Sequence, residues 1–253
     1  MEFIQLERDH NLLILKLARG KANALNAAML EELITACNDA AADATIRALV
    51  LASDRPKFFS SGFDVTEVFA YDRAAMTAFF GRFIDLYENL LRLPKPVIAA
   101  VNGHAFAGGA VLALACDERV LAEGEFGFAL NEVNLGIVLT PGVIRMAVSA
   151  MTNPSARALI LAGRTLTPAQ ALATGLAHEL APSELTLERA VARARELAEK
   201  PPQAFAAIKQ LFLQTAGHPL IGADRQALEQ FIAHWFSPEA STRKQTLTST
   251  IRK

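Results

Sequence analysis

The chain has 253 residues, of which 52% are hydrophobic and 20% charged, so it can bury a substantial core and is not expected to be disordered. Its 25 basic and 26 acidic side chains give a formal net charge of -1, without the basic excess of a nucleic-acid surface. No run approaches the ~20 apolar residues of a membrane span, and the amino terminus does not have the pattern of a secretory signal. We therefore expect a cytoplasmic protein that binds neither nucleic acid nor membrane.

The first half of the chain alternates between strand-like and helical patterns. Aliphatic runs predict buried strands at residues 12–17, 47–52, 96–101 and 119–122. Behind Asn26, a suitable helix cap, Met29, Leu33 and Cys37 recur at helical spacing. An apolar stripe predicts another helix over residues 73–92. This alternation predicts an α/β core.

Beyond Pro141 the patterns are helical. Thr167 to Gln170 has the form of a capping box, and a helix over residues 184–200 should end at the Pro201-Pro202 pair. A last amphipathic stripe runs from Leu228 to Phe236, and a terminal helix starts at Pro238. We predict a core over residues 1–200 and a C-terminal helical region over residues 201–253.

Two glycine-containing segments have the character of backbone anion sites. In KFFSSGFDV, Gly62 lets the chain turn sharply after Ser60 and Ser61, and we expect the Ser61 N–H to point freely into a cavity. In VNGHAFAGGAVLALACD, Gly108 opens a helix directly after an apolar strand. Unpaired N–H groups and the helix dipole favour negative charge there. Glycines after strands are also common turn residues, so each segment alone indicates little.

Glu132 in LNEVNLG is the candidate acid downstream of these segments. It lies between Leu130 and Val133, and apolar surroundings raise the pKa of a carboxyl toward values useful for proton transfer at neutral pH. The alternative is a surface glutamate in a strand-to-helix loop. Asp64 is expected to hold the Ser-Gly loop, and Asp117 to be a structural hydrogen-bonding residue.

The sequence lacks the motifs of three other kinds of functional site. Gly103 and Gly108 have P-loop spacing, but Gly109 stands at the lysine position. The histidines and cysteines lack metal-ligand spacing, and no G-x-S-x-G elbow surrounds Ser60 or Ser61. Neither a nucleotide loop, a metal site nor a Ser-His triad is predicted.

Four segments, in order and spacing, resemble the marks of the crotonase (enoyl-CoA hydratase/isomerase) superfamily over essentially the whole chain: KANALN at residues 21–26, FFSSGFDV, VNGHAFAGGAVLALACD and FGFALNEVNLGI. The resemblance implies an α/β fold, a spiral of ββα units with a C-terminal helical region. It also implies a homotrimer or a dimer of trimers that binds an acyl-CoA thioester. No cofactor or metal is implied, because coenzyme A is part of the substrate.

The resemblance also implies roles for individual residues. The N–H groups of Ser61 and Gly108 would form an oxyanion hole for the thioester oxygen, and Asn131 would lie beside the acyl chain. The coenzyme A site would be lined by residues of the two early segments: Ala22, Ala24, Ser60, Gly62, Phe63 and Asp64.

One position, Val111, indicates which reaction of this superfamily to expect. Hydratases of this superfamily hold a water molecule between two glutamates, whose positions match Val111 and Glu132 here. The sequence is more similar to mitochondrial-type Δ3,Δ2-enoyl-CoA isomerases, which share the aliphatic residue at Val111 and the Leu-Asn-Glu around a single base. We therefore expect an isomerase that shifts a double bond through Glu132. Hydration, thioester hydrolysis, decarboxylation and non-catalytic acyl-CoA binding are the alternatives.

Overall fold

The computed structural model of the protein describes residues 1–216 and 223–251. Its strands are Ile4–Asp9 (β1), Leu12–Leu17 (β2), Ala48–Ser53 (β3), Phe58–Ser60 (β4), Val97–Val101 (β5), His104–Phe106 (β6), Glu118–Ala122 (β7), Phe128–Ala129 (β8) and Glu179–Ala181 (β9). Its α-helices are Ala27–Ala42 (α1), Val65–Val68 (α2), Arg73–Arg92 (α3), Gly108–Leu114 (α4), Pro141–Ala150 (α5), Asn153–Leu161 (α6), Pro168–Thr174 (α7), Thr186–Ala198 (α8), Pro202–Thr215 (α9), Ala223–Gln226 (α10), Leu228–Trp235 (α11) and Pro238–Ile251 (α12).

The strands form two sheets. The larger sheet has the order β1-β2-β3-β5-β7-β9, with β1 antiparallel to β2 and the other pairs parallel. The smaller sheet has the order β4-β6-β8 and is parallel throughout. In three successive units a strand of the large sheet is followed by a strand of the small one and then by a helical segment. This repetition confirms the predicted fold of ββα units.

Both faces of the large sheet are covered by helices. One face belongs to the main core, which includes the buried apolar positions of α1 and α3. The other face packs against α8, where Ile14, Val50 and Ile98 of the sheet meet Ala190 and Ala194. Parallel sheets with two covered faces contain nearly continuous aliphatic strands, which explains the runs read from the sequence.

Helix ends follow local rules. The Asn26 side chain accepts a hydrogen bond from the Met29 N–H at 3.0 Å and caps α1 as predicted. The predicted capping box is present at α7, where Thr167 and Gln170 bond each other's backbone N–H groups. The predicted helix over residues 73–92 matches α3.

The prediction that only helices follow Pro141 is wrong, because β9 joins the edge of the large sheet beside β7. With three residues, β9 is too short for an alternating pattern to show.

In the C-terminal region, α11 packs against α3 and α10 against α5. The predicted region, residues 201–253, includes residues 217–222 and 252–253, which lie outside the described residues. Within the described ranges, no helix is both long and apolar enough to cross a membrane.

Candidate active site

The small sheet brings the candidate segments together. Its strands are parallel, with Phe58 paired to His104 and Phe106 paired to Ala129, so their carboxyl ends meet at one edge. The loop at residues 61–64 leaves β4, residues 107–108 leave β6, and residues 130–132 leave β8. Ligands of parallel α/β sheets bind at this kind of edge.

The prediction of a free Ser61 amide is wrong. The Ser61 N–H donates to the Ala22 carbonyl oxygen at 2.9 Å. Next along the chain, Leu25 N donates to Gly62 O at 2.7 Å and Asp64 N donates to Leu25 O at 2.8 Å. In such a parallel pairing the N–H of the residue between them, Phe63, points away from Leu25. That N–H has no hydrogen-bond partner among the described residues.

Gly108 supplies a second unpaired amide at the start of α4. The first hydrogen bond of this helix runs from Val111 N to Ala107 O, and Gly108 N has no partner in the described part of the chain. The preceding Ala107 has φ 46° and ψ -121°, a conformation rare for a residue with a Cβ. Such backbone strain concentrates at functional sites.

Two glycines allow these segments to approach each other closely. A Cβ on Gly62 would lie 3.0 Å from the Ala107 Cβ and 3.3 Å from Gly108 N, and Gly62 has φ 89°. A Cβ on Gly108 would lie 3.1 Å from the Phe63 ring. The turns that carry the Phe63 and Gly108 amides are therefore in direct contact.

A cavity of about 380 Å³ lies at this edge. Of the predicted site residues, the following line it: Ala24, Ser61, Phe63, Asp64, Gly108, Asn131 and Glu132. Val111, buried on α4, is also part of its wall.

Three predicted site residues, Ala22, Ser60 and Gly62, are not among the lining residues. The expectation that they line the coenzyme A site stays a prediction. Ser60 is fully buried, and its hydroxyl donates to Asn23 O at 2.8 Å and accepts from Gly62 N at 3.2 Å. All three residues shape the loop from behind: Ala22 by accepting the Ser61 N–H, Ser60 by its hydroxyl and Gly62 by its turn.

Glu132 is placed as a desolvated acid. Its Oε2 is buried and has no hydrogen-bond partner in the described chain, and the same holds for the Asn131 Oδ1. Burial raises the pKa of Glu132 to about 7. The predicted rise in pKa is confirmed, and the alternative of a surface glutamate is wrong because the carboxyl lies at the cavity.

Asp64 also lines the cavity, but its carboxylate is occupied. It accepts from the Arg19 guanidinium at 2.6 Å and from Thr66 N at 3.0 Å. Burial acts to raise the pKa of Asp64, but the hydrogen bonds from Thr66 and Arg19 outweigh it and hold the pKa below its ordinary value. The prediction that Asp64 holds the loop is confirmed; its partner Arg19 was not predicted.

Asp117 has the structural role that the sequence predicted. Its carboxylate accepts from Val97 N at 2.8 Å and from the Lys209 Nζ at 2.8 Å. It is not among the residues that line the cavity.

The rest of the cavity wall is aromatic and aliphatic. Phe80 and Phe83 come from α3, and Phe231 and Trp235 come from α11. Phe63 makes edge-to-face contacts with Phe83 at a centroid separation of 4.8 Å. The sequence predicted the apolar stripe of α11 but not that this stripe would close the cavity.

Known proteins resemble the chain in sequence and structure. The family model described as enoyl-CoA hydratase/isomerase matches residues 7–246. The 2,3-dehydroadipyl-CoA hydratase of Escherichia coli (strain K12) is 35% identical over 216 residues, which cover 85% of this chain and 83% of that protein.

Structures of isomerases are among the solved structures that resemble the chain. Human mitochondrial delta3-delta2-enoyl-CoA isomerase superposes with a TM-score of 0.94 at 23% identity, covering 99% of this chain and 98% of that one. At that identity the likeness concerns the fold alone. The enoyl-CoA isomerase of Mtb in its apo form has a TM-score of 0.81 at 28% identity, covering 92% and 98% of the two chains.

Proposed function

This chain belongs to the enoyl-CoA hydratase/isomerase family, the crotonase superfamily, whose enzymes process acyl-CoA thioesters, and we propose that it is an isomerase that moves the double bond of an enoyl-CoA from C3 to C2. The observation that carries the proposal is that the cavity wall holds one carboxyl, Glu132, with a buried oxygen atom that has no hydrogen-bond partner in the described chain. Asp64 is held by Arg19, and the wall position on α4 is occupied by Val111.

The reaction requires one group that takes a proton and then gives it back. Glu132 removes the proton at C2, which is acidified by the thioester, and the electrons move into a conjugated dienolate. The protonated Glu132 then returns a proton to C4. A pKa of about 7 suits both steps, because at neutral pH neither protonation state is strongly disfavoured.

The negative charge of the dienolate rests on the thioester oxygen. We assign its stabilisation to the N–H groups of Phe63 and Gly108, which replaces the Ser61 amide of the sequence-based prediction. Both N–H groups are unpaired among the described residues and belong to turns in direct contact. Loss of one such donor typically raises the barrier by about 3–4 kcal/mol.

Hydration is the competing reaction, and similarity to a hydratase of Escherichia coli favours it. Adding water across C2–C3 requires a water molecule that is held and activated next to the base. Val111 cannot hydrogen-bond that water, and the buried, unpartnered Oδ1 of Asn131 on the described wall carries no charge. Thioester hydrolysis, decarboxylation and non-catalytic binding remain alternatives without a specific observation in their favour.

The test offers the purified protein a 3-enoyl-CoA and, separately, the matching 2-enoyl-CoA, with products followed by mass and by the absorbance of the conjugated thioester. We expect the 3-enoyl-CoA to become conjugated without a change of mass. A main product that has gained the mass of water would contradict the proposal. The Glu132→Gln variant is the control for background isomerisation.

We propose that the protein is a homotrimer or a dimer of trimers and that it is located in the cytoplasm. Ile208, Leu211 and Phe212 of α9 are 61–65% exposed in the single chain, and association would remove such apolar surface from water. Light scattering coupled to size exclusion would measure the subunit number; a monomer would contradict the proposal.

A further inference from the structure

The cavity wall has an uneven distribution of charge. Its polar members, among the residues described, are Ser61, Asp64, Asn131, Glu132 and Thr140. The other lining residues are apolar or glycine, and no lysine, arginine or histidine is among the described residues that line the cavity. An acyl group in this cavity therefore meets two carboxyls and no cation.

We propose that the site binds acyl groups whose far end is a hydrocarbon and discriminates against acyl chains that end in a carboxylate. The inference deepens the proposed function and rests on it only for the placement of the acyl chain along this wall. It does not depend on which reaction follows binding.

A terminal carboxylate would meet no counterion on the described wall, because the two basic residues that bond to wall residues, Arg19 and Lys244, do not line the cavity themselves. The Arg19 guanidinium binds Asp64 at 2.6 Å and the Ala24 carbonyl oxygen at 2.8 Å. Lys244 donates to the Trp235 carbonyl oxygen at 2.7 Å and, unlike Trp235, is not a lining residue. A buried charge without a partner is strongly disfavoured relative to water.

The experiment compares two saturated thioesters that differ only in the acyl group, hexanoyl-CoA and adipoyl-CoA. Neither has a double bond to shift or hydrate, so calorimetry of the full-length protein measures binding without isomerisation or hydration. We expect adipoyl-CoA to bind about 100-fold more weakly than hexanoyl-CoA, which corresponds to about 2.8 kcal/mol. Affinities within threefold of each other, or tighter binding of adipoyl-CoA, would overturn the inference.

A variant of the cavity wall tests the effect of charge separately from the shape of the acyl group. Leu139 lines the cavity and is only partly buried, so Leu139→Lys can place an ammonium at the wall while its methylene stem stays packed. We expect this variant to improve adipoyl-CoA relative to hexanoyl-CoA by at least about tenfold. The Leu139→Met variant should keep the wild-type preference.

The outcomes separate this inference from the proposed function. An unchanged preference in a folded Leu139→Lys protein would show that charge at the wall does not govern selection, and would overturn the inference. Isomerase turnover together with equal binding of the two thioesters would overturn the inference and leave the proposed function standing. Selective binding of hexanoyl-CoA without isomerisation would overturn the proposed function and leave the inference standing.

Discussion

Replacing Glu132 with glutamine tests the site through two independent measurements, activity and stability. If Glu132 is the acid and base of the reaction, Glu132→Gln lowers kcat for isomerisation by at least about 10²–10⁴-fold, the usual contribution of such a group. Binding of a saturated acyl-CoA should be largely unchanged. In the wild-type protein, kcat/KM should rise with pH through about 7, as the carboxyl ionises, and then level off.

The stability effect follows from the same burial. The folded-state pKa of Glu132 is about 7 against an ordinary value of 4.5, so the unfolded chain ionises this group first as pH rises. Below pH 4.5 the carboxyl is neutral in both states and costs nothing; between 4.5 and about 7 folding becomes progressively less favourable. Because a tenfold change in proton affinity corresponds to about 1.36 kcal/mol, the full cost above pH 7 is about 3 kcal/mol. Glutamine avoids this cost.

The assay is denaturant unfolding of both proteins at pH 5 and pH 8, at one protein concentration, because association also stabilises. We expect the free energy of unfolding of Glu132→Gln, relative to wild type, to increase by up to about 3 kcal/mol between the two pH values. Glu31 is the matched control, since its hydrogen bond to Arg82 lowers its pKa. Glu31→Gln should keep full activity and should not gain stability as pH rises. A pH-independent difference for Glu132→Gln would refute the idea of a desolvated acid, and unchanged turnover would remove Glu132 from its role.

Three further predictions concern other residues of the site and of the loop behind it. Replacing the Phe63 amide with an ester, by incorporating the α-hydroxy acid, should lower kcat by about 10²–10³-fold with little change in binding of a saturated thioester, because one oxyanion donor is lost. Val111→Glu should supply a second acid and raise hydration of 2-enoyl-CoA at least about tenfold, measured by mass, at a stability cost of about 1–3 kcal/mol. Arg19→Met should release Asp64, raise KM and lower the free energy of unfolding at pH 7 by about 1–3 kcal/mol. Because the pKa of Asp64 in the folded protein lies below its ordinary value of 3.8, this loss of stability should shrink as the pH falls through 3.8 and below.

Controls for these variants use the same structure. The ester replacement at Ser61 removes a hydrogen bond to Ala22 instead of an oxyanion donor, so it should lower stability by about 1 kcal/mol and spare kcat. Equal loss of kcat at the two positions would contradict the assignment of Phe63. Val111→Gln tests whether size or charge matters: gain of hydration in both variants would show that the carboxylate itself is not required.

Most of the fold was accessible from local patterns. The long aliphatic strands and the helix over residues 73–92 were predicted because burial and periodicity are visible within a short window. The small sheet was not, since β4 and β6 have three residues each and β8 only two. Such strands form because the neighbouring chain segments are already positioned, and that positioning is not encoded in any window of their length.

The candidate site was predicted in its components and not in its details. Gly108, Glu132 and the gap at Val111 follow from residue identity, and the structure places them on one cavity. The choice of Ser61 as amide donor was wrong because consecutive N–H groups of an extended segment point in opposite directions. Which of them is free depends on where Ala22 and Leu25 pair with that segment. No pattern within KFFSSGFDV carries that information.

The sequence by itself determined that the chain carries two glycine-containing turns, one suitably placed acid and an aliphatic residue where a second acid could stand. Only the tertiary structure decided that Phe63 offers the free amide, that the Glu132 carboxyl is desolvated and that α11 closes the cavity. The physical reason is that residue identity is local, whereas hydrogen-bond pairing and burial depend on segments distant along the chain. A pKa near 7 is therefore a property of the fold around Glu132, not of the glutamate alone.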